Sequence, residues 1–279
     1  MRALRRGPWG HGGRPETPRR PVHQPEGLRR EGRRRGQSRQ HVKLVVYRDA
    51  AELAEEAARL FRERVAGHPD LALAVPAGRT PRRMYGLLRD WQAQAPVDYG
   101  ALRVFSVDEL CPPAPSDGYF WRQVRSEFLA WAAVPPERCH PFRVDAPDLE
   151  AMCAEYEETI ARAGGLDLVM LGLGPNAHLA SNEPGSAFDS VTRPVRLLPE
   201  TVGYILTDEV IQGAVCDRAV TLGIETILKS REVIVLVSGP AKRAPLERLL
   251  ESPMDPAVPA SALRLHSRCT VLADREASP

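Results

Sequence analysis

Residues 171–190 read LGLGPNAHLASNEPGSAFDS and follow the apolar run LDLVML without a break. A Gly-x-Gly turn ends that run, and His178 and Glu183 stand five residues apart beyond it. A histidine can give or take a proton near neutral pH. A carboxylate nearby can orient it through one ring nitrogen. Asn176 and the backbone N–H groups of this loop can hold a hydroxyl. The plain alternative is a loop histidine satisfied by its own surroundings. No second His or Cys lies at ligand spacing, so a metal is not expected here.

Three other segments carry polar residues straight after apolar runs. SVDEL ends in Asp108 and Glu109. Either the chain surfaces there, or a carboxylate at a crevice rim has its pKa raised by burial and serves as a general base. PAGRTP places Gly78, Arg79 and Thr80 at a helix start, where free N–H groups and the helix dipole favour an anion. Its plain reading is a strand-to-helix turn capped by Thr80. SGPAK sets Lys242 beyond another strand, either solvated or as a second cation for the same phosphate. The chain contains no GxxxxGK[ST], so the pattern is not a nucleotide P-loop.

Alternating strand and helix signals would have to carry these residues. Strands are expected at 41–47, 71–76, 101–107, 166–174, 232–239 and 269–274. Helices are expected at 50–67, from Thr80-Pro81 onward, and at 119–131, 148–165, 222–229 and 241–250. In the first helix Leu53, Ala57, Leu60 and Phe61 recur on one face. Thr80 is expected as N-cap of the second, with Pro81 at its first position. This order predicts an α/β fold, a mostly parallel, Rossmann-like doubly wound sheet with helices on both faces, forming a single domain over 42–279. In such sheets ligands bind beyond the carboxyl ends of the strands. That rule would bring PAGRTP, SVDEL, GLGPNAH and SGPAK to one edge, although they are far apart in sequence.

The chain has 279 residues and a net charge of +2. Residues 1–41 hold 12 arginines and three acidic residues, which leaves 26 basic and 33 acidic residues for the rest. The Arg/Gly/Pro-rich tail has almost no aliphatic residues and is expected to be disordered. It is read as a dispensable extension, with a nucleic-acid arm or a transit peptide as alternatives. It has no apolar stretch of the kind a secretory signal needs. No run approaches the ~18 apolar residues of a membrane span. The five cysteines have no C-x-x-C pair, so reduced thiols in a cytoplasmic protein are expected. Nucleic acid is not an expected partner of the body, and a homo-oligomer is compatible with the sequence.

GRTP, VDEL and GLGPNAHLASNEPG in this order, followed by TLGIETILKSREVIVLVSGPAK and VPASALRLHS, resemble the amino-sugar 6-phosphate deaminase/isomerase family, which is related to the 6-phosphogluconolactonases. The resemblance runs from near His41 to the end. Ser181-Asn182-Glu183-Pro184 stands where the lactonases are expected to read Ser-Leu-Phe-Pro, which points to amino sugars. The resemblance implies a small-molecule sugar phosphate as partner and no cofactor. It implies conversion of glucosamine or galactosamine 6-phosphate to the ketohexose 6-phosphate plus ammonia. Asp108 would move the proton between C2 and C1, and His178, supported by Glu183, would open the ring. Gly78, Thr80 and Lys242 would contact the phosphate. The chain departs from the glucosamine-type pattern at Asn176, where Asp is usual, and at Ala177, where Gly is usual. Asn176 lacks the charge that would hold His178 protonated, so a less basic His178 is expected. Ala177 puts a β-carbon where positive φ is expected. Arg79 is expected to replace an arginine missing near Thr207. A 6-phosphogluconolactonase-like hydrolase and a catalytically weak sugar-phosphate-binding regulator are the alternatives.

Overall fold

The computed structural model describes residues 42–279, so the expectations for the tail lie outside the described residues. Seven strands form one sheet: β1 Lys43–Tyr47, β2 Ala72–Val75, β3 Arg103–Ser106, β5 Cys139–His140, β6 Leu168–Gly172, β9 Glu232–Val237 and β10 Cys269–Asp274. Their spatial order is β1-β10-β9-β6-β2-β3-β5, and every pair is parallel.

The helices are α1 Ala50–Gly67, α2 Arg79–Gln94, α3 Tyr119–Val124, α4 Ala130–Ala132, α5 Leu149–Arg162, α6 Pro199–Ile205, α7 Ile224–Leu228 and α8 Arg243–Glu251. A π-helical turn, Arg125–Leu129, joins α3 to α4, so the helix expected at 119–131 is a composite. α1 starts at Asp49, whose side chain accepts from the N–H groups of Ala51 and Glu52 at 2.9 Å. Its buried stripe is Leu53, Ala57, Phe61 and Val65.

Alternate residues of the strands feed two cores. Phe105, Val169, Leu171, Val235 and Val271 pack with residues of α5, α7 and α8. Leu73, Val75, Met170, Ile234 and Leu236 pack with residues of α1, α2 and the α3 segment. A strand covered on both faces buries consecutive residues, and β2 and β9 are buried along their whole length. The doubly wound parallel sheet expected from the sequence is therefore present.

A second sheet was not expected. β4 Asp108–Leu110, β7 Arg193–Arg196 and β8 Arg218–Thr221 form three antiparallel strands in the order β4-β8-β7. The strand expected at 101–107, ending at Asp108-Glu109, instead leaves the large sheet after Ser106, and the chain enters the small one at Asp108. The small sheet has its own apolar cluster of Leu110, Ala114, Tyr119, Leu197 and Ala219.

Candidate active site

The large sheet winds from β2 to β3 in one direction and from β6 to β9 in the other. The gap between β2 and β6 is thus the topological switch point, where crossovers on both sides leave a crevice at the carboxyl ends. A cavity of about 160 Å³ opens there. Gly78, Arg79, Thr80, Asp108, His178 and Lys242 all line it. Segments as distant as 78 and 242 converge as the strand ends require.

Asp108 and Glu109 part company because successive strand residues face opposite ways. Asp108 faces the cavity, and its Oδ2 accepts from the Ser181 hydroxyl at 2.7 Å. Burial pushes its pKa up to about 6, against the opposing pull of that hydroxyl and of His178. Glu109 points away and is buried. Its Oε1 accepts from the N–H groups of Leu110, Tyr119 and Phe120, and its Oε2 from that of Trp121. It caps α3. Burial raises its pKa to about 7 despite these four donors. A β-carbon on Gly118 would sit 2.0 Å from the Glu109 carboxylate, so the cap requires glycine there.

The loop after β6 is held as tightly. Gly174 N–H donates to His178 O at 3.0 Å, and Ala177 N–H returns to Gly174 O at 3.0 Å. Ala177 has φ 66°, in the left-handed region expected from its place in the loop. Its methyl is fully buried, and its carbonyl accepts from Ala260 N–H at 3.0 Å. The His178 ring lies against Gly174, where a β-carbon would stand 2.2 Å from Cδ2 and Nε2. Its Nδ1 is buried without a hydrogen-bond partner, and Glu183 Oε2 lies 3.7 Å away. The separation exceeds a normal hydrogen bond, so Glu183 stands beside the ring nitrogen as a near neighbour.

Glu183 lies behind the cavity wall. Its Oε2 accepts from the Asn176 amide at 2.7 Å and its Oε1 from Leu198 N–H at 3.2 Å. Burial works against its charge, but His178, the Thr201 hydroxyl and the Asn176 amide outweigh it and bring its pKa down to about 2. Asn176, read from the sequence as able to hold a hydroxyl, is not among the residues that line the cavity and is engaged within the loop. Its Nδ2 is given to Glu183 and its Oδ1 accepts from His178 N–H at 3.1 Å. It ties carboxylate to loop, and Arg248 holds its carbonyl at 3.1 Å.

Elsewhere in the cavity wall, α2 begins at Arg79, and the N-cap is Gly78, not Thr80. Gly78 has φ 108°, a turn that a threonine would adopt only with strain. Thr80 falls inside the first turn and lines the cavity. Gly78 N–H is already donated to Gln123 Oε1 at 2.8 Å, and Gln123 Nε2 donates back to Gly78 O at 2.9 Å. The donors left to an anion are the first-turn N–H groups and the Thr80 hydroxyl. Arg79 donates to Thr207 Oγ1 at 2.6 Å and lies 3.5 Å from Asp208. Lys242 ends a 3₁₀ turn after β9, and its Nζ lies 4.7 Å from the centre of the Tyr204 ring. The Arg79 guanidinium is 5.5 Å from the same ring. The turn before Lys242 is fixed by Asp274, which accepts from Ser238 Oγ at 2.5 Å and from Gly239 N–H at 3.0 Å.

Thr201, Tyr204, Asp208, Gln123 and Asp274 escaped the sequence reading, and Ser181 entered it only as part of Ser-Asn-Glu-Pro, with no part in the site. Only α6 left a trace: Pro199 at its first position and Glu200 in its first turn are start signals.

Two titratable side chains, Asp108 and His178, and two cations, Arg79 and Lys242, thus line one cavity. The family described as glucosamine-6-phosphate isomerases/6-phosphogluconolactonase matches residues 48–272. A glucosamine-6-phosphate deaminase of Halothermothrix orenii is 32% identical over 240 residues, covering 85% of this chain and 99% of that protein. A solved monomeric glucosamine-6-phosphate deaminase is 32% identical, with a TM-score of 0.79 over 85% of this chain and 98% of its own. The 6-phosphogluconolactonase of Trypanosoma brucei, at 23% identity and a TM-score of 0.68 over 85% and 97%, shares the fold. By sequence over most of its length and by the topology of its sheet, this chain belongs to the glucosamine-6-phosphate isomerase/6-phosphogluconolactonase family.

Proposed function

We propose that this chain is a cytoplasmic hexosamine 6-phosphate deaminase/isomerase, converting glucosamine or galactosamine 6-phosphate to the ketohexose 6-phosphate and ammonia. The observation that carries this is the lining of one cavity. Asp108 and His178 are near enough to interact through their charges, Arg79 and Lys242 meet at the Tyr204 ring, and Thr80 lines the same cavity. A phosphate gripped by those cations anchors the sugar so that both titratable groups act on one bound molecule.

His178 moves a proton from O1 to O5, which opens the pyranose ring. Asp108 takes the C2 proton as the C1=C2 double bond forms and O1 takes a proton supplied through His178. Asp108 returns its proton to C1 as the nitrogen lone pair forms the C2 iminium. Water then replaces nitrogen at C2, giving ketone and ammonium. A carboxyl group with a pKa of about 6 is suited to both halves of this transfer near neutral pH. Glu183 and Asn176 position His178 from behind the wall, and Arg79 takes the phosphate from the first turn of α2.

The test is ammonia release from each sugar phosphate by the purified protein, with 6-phosphogluconolactone hydrolysis as control. Release from one hexosamine phosphate, abolished in Asp108→Asn, is expected. Lactone hydrolysis without ammonia release would refute the assignment.

A further inference from the structure

The loop that carries His178 also reaches the base, through a residue with no assigned part. Ser181 is 4% exposed, and its hydroxyl donates to Asp108 Oδ2 at 2.7 Å. Its own N–H donates to Thr221 Oγ1 at 3.1 Å. Thr221 is the residue directly across from Asp108 in the β4–β8 pairing. Its hydroxyl donates to Leu222 O at 3.1 Å, and Leu222 N–H donates to Val107 O at 2.8 Å. A closed circuit results. Asp108 is set by its backbone opposite Thr221, Thr221 holds the Ser181 backbone, and the Ser181 side chain returns to Asp108. Ala180, with φ 49°, makes the bend that brings Ser181 round.

We infer that Ser181 is a positioning residue for Asp108, holding Oδ2 so that Oδ1 is the oxygen that exchanges the proton with the substrate carbons. This rests on the proposed isomerase chemistry for its consequence, though not for its geometry. Among the described residues no donor is hydrogen-bonded to Oδ1, whereas Oδ2 is occupied. A carboxylate free to rotate would offer either oxygen at the wrong angle for much of the time. One pinned by a buried hydroxyl presents a single lone pair to C2 and then to C1. The hydroxyl also favours the charged form, so it keeps the carboxyl able to accept a proton despite burial. The other charged or titratable groups around Asp108 are His178 from the β6 loop, Glu109 beside it in β4, and Lys242, Arg79 and Asp208 in the cavity wall.

The test compares Ser181→Ala and Ser181→Thr with the unsubstituted enzyme. In Ser181→Ala, kcat is expected to fall about tenfold or more with KM within about twofold, because the phosphate grip is untouched. The acid limb of the kcat/KM profile is expected to move up by about one pH unit, as a hydrogen bond to the charged form is lost. Ser181→Thr keeps the hydroxyl and is expected to retain most of kcat and the original limb. Carboxyl ¹³C NMR of the free enzyme, with Asp108 assigned by difference from Asp108→Asn, reads the same titration without turnover. If Asp108 titrates unchanged in Ser181→Ala and kcat stays within twofold, the inference is overturned. If the wild-type enzyme releases no ammonia from either sugar, the proposed function fails, while the NMR titration still decides whether Ser181 holds the carboxylate.

Discussion

Gly174→Ala isolates the placement of the His178 ring from everything else in the site. The new β-carbon would lie 2.2 Å from Cδ2 and Nε2 and 2.4 Å from Cε1, while ordinary contact begins at 3.4 Å. The ring would have to retreat roughly 1.2 Å to restore a normal separation. Its retreat is hindered, because the His178 side chain is 12% exposed and the Glu183 carboxylate stands 3.7 Å from Nδ1. A shift of about 1 Å in a reacting group costs about 10²-fold in rate, or roughly 2.7 kcal/mol in the barrier. Gly174 has no positive φ, so the backbone accepts alanine and the protein should fold. Overpacking should destabilise it by about 1–3 kcal/mol. Steady-state ammonia release should show kcat down about 100-fold and KM within about threefold, since the atoms nearest the new β-carbon belong to His178 and not to Arg79, Thr80 or Lys242. Activity within twofold of wild type, with the fold intact by circular dichroism, would refute the placement of the ring as the reason for glycine at 174.

Gly86 lies within α2 with nothing near a β-carbon, so Gly86→Ala should leave kcat unchanged and raise stability by about 0.5–1 kcal/mol in urea unfolding. Arg79→Ala removes a cation that reaches Thr207 and Asp208; KM should rise about tenfold or more with kcat nearly constant, and an unchanged KM would rule Arg79 out of phosphate binding. Asp108 and Glu109 should place the stability maximum on the acid side of neutrality, with His140, whose pKa burial lowers from 6.5, opposing them as pH falls. Folding raises Asp108 from 3.8 to about 6 and Glu109 from 4.5 to about 7, so the native state binds more protons than the unfolded chain and gains stability as pH falls from about 7 towards 4.5. Glu183 has the opposite sign: its folded pKa of about 2 is below its ordinary 4.5, so its stabilisation is lost as pH falls through that window, and Glu56 and Glu232, also held low, act with it. Thermal unfolding from pH 3 to 8 checks the maximum, and Asp108→Asn should weaken the rise on its alkaline side.

The long apolar strands and amphipathic helices were legible because burial on both faces or along one stripe writes itself into consecutive residues. The expected helix at 50–67 and strand at 269–274 coincide with α1 and β10. β7 could not be read that way. Its four residues are RPVR, only partly buried, with Pro194 tolerated because β7 is the edge of the small sheet. It is a strand because β8 pairs with it. The N-cap of α2 was misplaced because threonine is a good cap in general, whereas this turn needs the positive φ of Gly78. Asp108 and His178 were visible since strand ends in such a sheet point to the crevice. The groups that fix them were not, because their contacts join distant positions. Ser181 reaches Asp108 across 73 residues, and Arg79 reaches Thr207 across 128. Nothing local in the sequence marks such pairs.

The Asp108-Glu109 pair in β4 ties the fidelity of the chemistry to the fidelity of folding. The two acids are neighbours in a three-residue strand, one turned to the cavity and the other to the first turn of α3. A slip of one position against β8 would exchange their sides. Glu109 would be offered to the substrate, and the shorter Asp108 would be left to reach the three N–H groups at the helix start. That misaligned chain would pay twice, with a longer base in the crevice and uncapped amides in the interior. The helix cap therefore proofreads the position of the base: only the register that satisfies Glu109 is stable, and that register aims Asp108 at the sugar.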